Sequence, residues 1–152
     1  MGDEFRNRSG QILGTTDTGE TRKIRVDEDG NVKTVVNGSL PNVVTLQLDA
    51  SVVGNGTPYT PTSPQTLTFE ISGTSTSRTV VFELAGPKGV YQAYPANKIG
   101  DSTYTDYTST TGGSTTMPES WSVDIPANYS FRARISAVAG GDVDIAGWAV
   151  AQ

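Results

Sequence analysis

Trp121-Ser-Val-Asp-Ile125, Tyr129-Ser-Phe-Arg-Ala-Arg-Ile-Ser-Ala137 and Val143-Asp-Ile-Ala-Gly-Trp-Ala-Val-Ala151 are the stretches whose reading decides the fold. In the first, Trp121, Val123 and Ile125 fall on one side of an extended chain, with Ser122 and Asp124 on the other. Pro126-Ala-Asn128 turns the chain, and in the second run Tyr129, Phe131, Ala133 and Ile135 alternate with Ser130, Arg132, Arg134 and Ser136. Side chains of a strand point to opposite faces in turn, so a strict period of two means a sheet with one dry and one wet side. The third run keeps this period at Val143 and Ile145, then slips at Ala146-Gly147. A β-bulge there would bring Trp148 and Val150 into register with Val143 and Ile145, so Trp148 is expected in the core.

Working back along the chain, the same alternation recurs. Val44, Leu46, Leu48 and Ala50 form an apolar row opposite Thr45, Gln47 and Asp49. Leu67, Phe69 and Ile71 alternate with Thr66, Thr68 and Glu70, and Val80, Phe82 and Leu84 with Thr79, Val81 and Glu83. Between the first two rows, Gly54-Asn-Gly56 and Pro58, Pro61 and Pro64 mark a loop too rich in proline for a sheet interior. Val90 to Tyr94 and Ser102 to Tyr107 read as short strands, and Thr108 to Pro118 as a polar loop. No segment sustains a 3.6-residue period. About eight short strands follow residue 41, which predicts an all-β fold: a two-sheet sandwich, jelly-roll or immunoglobulin-like. Its expected core holds Leu46, Leu48, Phe69, Ile71, Val80, Phe82, Trp121, Val123, Phe131, Ile135 and Ile145.

Bulk composition narrows the function. A chain of 152 residues with net charge −5 and 11 Lys and Arg has no basic face for nucleic acid. It contains no Cys and no His, so thiol chemistry, disulfides and the commonest general base and metal ligand are absent. The 21 Thr and 14 Ser, with 17 Gly and 8 Pro, suit strands joined by tight turns. The acidic start Met-Gly-Asp-Glu-Phe lacks the basic charge of a signal peptide, and no apolar run is long enough for a membrane-spanning helix; synthesis and retention in a cytoplasm-like compartment are expected. Without a secretory route, the sequons at Asn7, Asn37, Asn55 and Asn128 read only as turns.

Residues 1–40 read as a separate attachment region before a sandwich domain at 41–152, joined through Asn37-Gly-Ser-Leu-Pro41. Residues 1–20 carry only Phe5, Ile12 and Leu13 as large apolar groups after Met1. That is too little burial to offset the entropy of ordering twenty backbones, so a partner subunit is expected to hold the arm. Lys23-Ile-Arg-Val26 and Val32-Lys-Thr-Val-Val36 flank Asp27-Glu-Asp-Gly-Asn31, the pattern of a small β-hairpin. Asp27, Asp29 and Asn31 open like a calcium loop, but the twelfth position is Gly38 instead of a bidentate Glu, so no metal site is read. Phe5, Ile12, Leu13, Ile24 and Val26 are the candidate partner-binding residues of this region.

Candidates for chemistry are few. The strand carboxylates Asp49, Glu70, Glu83, Asp124 and Asp144 all occupy outward positions, where neither burial nor proximity would split their pKa values. No nucleophile motif accompanies them, so no catalytic residue, metal or cofactor is assigned. Tyr91, Tyr94, Tyr104 and Tyr107 form the one unusual cluster. They read either as ordinary strand-edge packing or as an outer contact surface, since tyrosine offers an apolar ring with a polar tip to a protein or a sugar.

An extended arm, the hairpin Arg25-Val-Asp-Glu-Asp-Gly-Asn-Val32 and a Thr-rich sandwich closing on Tyr129 to Ala137 and Gly141 to Val150 together resemble the accessory virion proteins of tailed bacteriophages. Capsid decoration (cement) proteins and head-fibre or neck-attached proteins are the nearest groups. The resemblance lies in layout and composition and brings no ligand signature. It implies an arm clamped onto major capsid or neck and portal-region proteins, a sandwich on the outer surface of the virion, homo-oligomers with a trimer favoured, and no nucleic-acid or membrane partner. A receptor- or carbohydrate-binding module of a phage fibre is the alternative reading, and a secreted-type adhesin module a third.

Overall fold

The computed structural model describes residues 11–15 and 21–25 as backbone, and residues 41–103, 106–110 and 118–152 with their side chains. The chain divides into two compact units, Met1–Gly38 and Ser39–Gln152. In the first, β1 (Gln11–Thr15) pairs antiparallel with β2 (Thr21–Arg25), with Ile12 opposite Ile24 and Leu13 opposite Lys23. Gln11–Thr15 of the arm thus pairs along one edge with β2 through backbone hydrogen bonds. The expected partner of Lys23 to Val26, the run Val32 to Val36, lies outside the described residues.

The second unit is all-β, with no helix among the described residues. Its strands are β3 (Asn42–Ala50), β4 (Gln65–Ser72), β5 (Ser77–Ala85), β6 (Tyr91–Ala93), β7 (Ala96–Lys98), β8 (Asp106–Tyr107), β9 (Glu119–Ile125), β10 (Ser130–Ala139) and β11 (Val143–Ala151). They build a six-stranded antiparallel sheet in the order β3-β11-β4-β9-β7-β8 and a three-stranded one in the order β10-β5-β6. Consecutive strands switch sheets at the β4–β5, β6–β7, β9–β10 and β10–β11 connections, which makes the unit a sandwich.

Between the sheets lie the residues that alternation marked as apolar. Phe69, Phe82, Trp121 and Phe131 are fully buried, and their rings meet at centroid distances from 4.9 to 6.5 Å. Leu46, Leu67, Ile71, Val80, Val123, Ile125, Ile135, Val143 and Ile145 close the core around them. Residues 54–59 run along the free edge of β10: Gly54 and Ile135 exchange amide–carbonyl bonds of 3.1 and 2.9 Å, as do Tyr59 and Phe131 at 2.8 Å. Thr57 N also donates to Leu46 O at 2.8 Å, so this proline-bordered loop seals one side of the sandwich from β3 to β10.

Two expectations fail together. Leu48 is 72% exposed rather than core, and Gln47, expected outward, is buried with its amide donating to Ala133 O at 2.8 Å. The reason is that the register irregularities sit on β3 and not on β11. Val143 pairs with Ala50, Ile145 with Gln47 and Ala146 with Thr45, so β3 carries an extra residue at two places and its alternation is re-aimed. β11, by contrast, pairs with β4 without a break from Asp144–Ser72 to Ala151–Gln65. Val143, Ile145, Gly147 and Ala149 stay inward throughout, and Trp148, expected in the core, is 59% exposed on the outer face.

Candidate functional site

The outer face of the six-stranded sheet is graded from apolar to polar. Trp148 on β11 has Val43 of β3 as its cross-strand partner on one side and Thr68 of β4 on the other; the row continues through Ser122, Asn97 and Asp106. Val43 is 68% exposed and Val150, one outward position beyond Trp148, 45%. Three large apolar side chains thus share the β3–β11 end of the sheet, where Leu48 of β3 is exposed as well, while the outward positions of β4, β9, β7 and β8 carry Thr, Ser, Asn, Asp and Glu. A tryptophan standing in water beside two valines forgoes the burial that its size would yield, and such patches on soluble domains mark contact sites. The alternation through Gly147 could have located this strip, had the glycine been counted as an inward position.

The outer face of the three-stranded sheet is built from charge. Glu83 on β5 accepts from Arg132 Nε at 2.7 Å and from Arg134 Nε at 3.1 Å, both from the facing strand β10. The Arg132 guanidinium lies 3.7 Å from the centre of the Tyr91 ring on β6. Burial alone would raise the Glu83 carboxyl, but the hydrogen bonds and charges of the two arginines outweigh it and hold the group below the usual carboxylate range.

Of the other strand carboxylates, Asp124 Oδ1 accepts from Thr66 Oγ1 at 2.6 Å and from Gln152 Nε2 at 2.7 Å, and Asp144 Oδ1 accepts from the Asp49 amide at 2.7 Å. Asp49 and Glu70 are exposed. No group of three or more metal-ligating side chains occurs among the described residues.

The tyrosines singled out from the sequence do not share one face. Tyr91 sits under Arg132 on the three-stranded sheet. Tyr94 is half-buried against the core, its hydroxyl donating to Asp124 O at 3.0 Å, and burial together with the Asp124 charge raises its pKa. Tyr107, on β8 of the other sheet, packs edge-on against Trp121 at 5.7 Å and donates to Asp101 Oδ2 at 2.6 Å. Tyr104 lies outside the described residues, as do Phe5 and Val26. Ile12, Leu13 and Ile24 fall on the β1–β2 pair, Ile12 and Ile24 in direct register.

Comparison with known proteins places the body of the chain. The crystal structure of the SPBc2 prophage-derived protein YomS superimposes with a TM-score of 0.64 at 26% identity, covering 74% of this chain and 96% of YomS. The crystal structure of the PBSX exported protein XepA shares the fold with a TM-score of 0.68 at 19% identity; the match takes in 99% of this chain and 49% of XepA, so the chain spans about half of that protein's length. No curated protein matches the sequence significantly. The XepA family model matches residues 41–149, nearly the whole sandwich and well over half of the chain. By that match this chain belongs to the XepA family.

Proposed function

We propose that this protein is a phage-associated structural protein that attaches to capsid or neck proteins of the particle through residues 1–40 and decorates or stabilises it from outside. The observation that carries a binding role is Trp148, exposed at the centre of the Val43–Trp148–Val150 strip, a contact on the sandwich that adds to the one proposed for residues 1–40. Tryptophan is among the residue types most enriched where protein surfaces grip one another, and a neighbouring virion protein, this chain's own copies included, is the occupant that suits an exposed apolar strip bordered by polar and acidic positions. Kinship with prophage-encoded proteins over the sandwich supports the phage setting. The role is binding without turnover, which fits carboxylates that are solvated or neutralised by arginine.

A second reading, release from the cell as a free protein, is favoured by the solved relative XepA being an exported protein. Gold labelling of purified particles with an antibody to the sandwich separates the two. Label at the capsid or neck is the expected result; protein found only in the particle-free medium would overturn attachment.

A further inference from the structure

At the end of the sandwich where β5 passes to β6, an open cleft of about 620 Å³ is lined by Pro87, Lys88, Val90, Gln92, Tyr94 and Tyr129 among others. Sites for small ligands occupy roughly 300–1,000 Å³. Its walls are fixed in advance. The Gly86–Gly89 turn is closed by Gly89 N donating to Gly86 O at 2.9 Å, with Pro87 restricting its backbone and Gly89 at φ 71°. The Tyr129 ring rests against Gly86, where an added Cβ would come within 3.1 Å of Cε1. Tyr94 is held by its hydroxyl on Asp124 O and by its amide on Phe82 O, 2.9 Å away.

Three polar side chains at this cleft are unengaged, whereas the other Lys and Arg side chains of the sandwich all have partners. Arg78 donates to Ile71 O and Ser72 O, Lys98 pairs with Glu119, and Arg132 and Arg134 share Glu83. Lys88 is the one Lys or Arg of the sandwich with no hydrogen bond or ion pair among the described residues. The Gln92 amide and the Tyr129 hydroxyl likewise have no partner among them. A cation, an amide and a phenol thus border apolar walls made by Pro87, Val90 and two tyrosine rings.

We propose that this cleft binds an acidic saccharide, a sugar ring bearing a carboxylate or a phosphate. The apolar C–H face of a pyranose matches the tyrosine, proline and valine walls. Its hydroxyls need partners that both donate and accept, which Gln92 and Tyr129 supply, and Lys88 complements the acid. A purely apolar ligand would strip water from these three groups and give nothing back. The site lies apart from the Trp148 strip and stands or falls independently of the attachment reading.

The test is a titration of the ¹⁵N-labelled full chain with trigalacturonic acid, its methyl ester and glucose 6-phosphate, up to about 20 mM, where millimolar binding saturates. The expected result is saturable shifts at the amides of Lys88, Gly89, Val90, Gln92 and Ala93 with an acid form; which acid gives them tells a carboxylated from a phosphorylated source. The methyl ester should bind about threefold more weakly than the free acid, and Lys88→Ala, on an exposed turn, should lose the same factor while Lys88→Arg keeps it, the size expected of one exposed ion pair. No saturable shift at those amides with either acid overturns the proposal. So does equal binding of acid and ester, or saturation by triglutamate alone, which would assign the cleft to acidic peptides.

Discussion

Gly147 lies directly across from Phe69 in the β11–β4 ladder, and a Cβ built on it would stand 2.0 Å from Thr68 O and 2.5 Å from Phe69 Cα. The glycine occupies an inward position where the neighbouring strand leaves no room for a side chain, and the large ring of Phe69 fills the core in its place. Because the obstacle is backbone, a substitution has to push two central strands apart. Gly147→Ala should destabilise the sandwich by about 2 kcal/mol or more. Thermal melts of the two proteins check it; equal melting temperatures would mean that β11 and β4 are spaced more widely than described.

That contact also explains what sequence reading missed. Alternation placed the buried rows of β4, β5, β9 and β10 correctly, because on regular strands each apolar residue reports its own face. At Gly147 an inward position carries no side chain, so the apolar signal lapses there and alternation points Trp148 to the face opposite its own. On β3 the two extra residues re-aim Gln47 and Leu48, and nothing in Leu46-Gln47-Leu48-Asp49 marks them; their sign is backbone geometry, Asp49 at φ 48°. The cleft was out of reach for another reason: its lining comes from β5, β6, the turn between them and Tyr129, which approach only once the sheets close. Of the candidate attachment residues, which stand out by composition alone, Ile12, Leu13 and Ile24 share one strand pair.

Emptying the centre of the core should be costly and trimming its outer face should not. Phe131 is fully buried between Phe69 and Phe82, so Phe131→Ala is expected to cost roughly 3–5 kcal/mol. Thr68→Ala and Leu48→Ala, both at exposed positions, should stay within about 0.5 kcal/mol. Denaturant titration measures all three, and a Leu48→Ala loss near that of Phe131→Ala would contradict the register given to β3.

Acid should weaken the fold at a defined place. Glu83 lies below the usual carboxylate range through Arg132 and Arg134, and Asp101 is lowered to about 2 by hydrogen bonds from Thr103 and Tyr107. A carboxylate whose folded pKa is depressed stabilises above its unfolded value and loses that contribution as pH falls through the folded one. Melting temperature should therefore hold above about pH 5 and fall progressively from about pH 4 towards pH 2. Glu83→Gln should lower the plateau and flatten the descent; an identical pH profile for the variant would show that the ion pairs contribute nothing.

Trp148→Asp should leave the melting temperature nearly unchanged, since the ring is mostly in water, yet weaken association with the particle by tenfold or more, about 1.4 kcal/mol. Analytical ultracentrifugation and a particle-binding assay run on one preparation separate the effects. A folded variant that binds as well as the natural chain would remove the strip from the interface.

Residues 1–40 carry six positive charges (Arg6, Arg8, Arg22, Lys23, Arg25, Lys33) and seven negative ones (Asp3, Glu4, Asp17, Glu20, Asp27, Glu28, Asp29), which nearly cancel. Attachment through this region should then rest on strand pairing and apolar contact, with charge a small term. Salt discriminates, because raising it from physiological strength to 1 M shortens the screening length from about 8 Å to about 3 Å. The most direct measurement is co-sedimentation, in 1 M NaCl, of the full chain and of residues 41–152 with particles lacking the protein. The full chain should stay bound at native occupancy while the folded sandwich alone remains in the supernatant. Co-sedimentation of residues 41–152 at the same occupancy, or release of the full chain by the salt, would contradict this account of attachment.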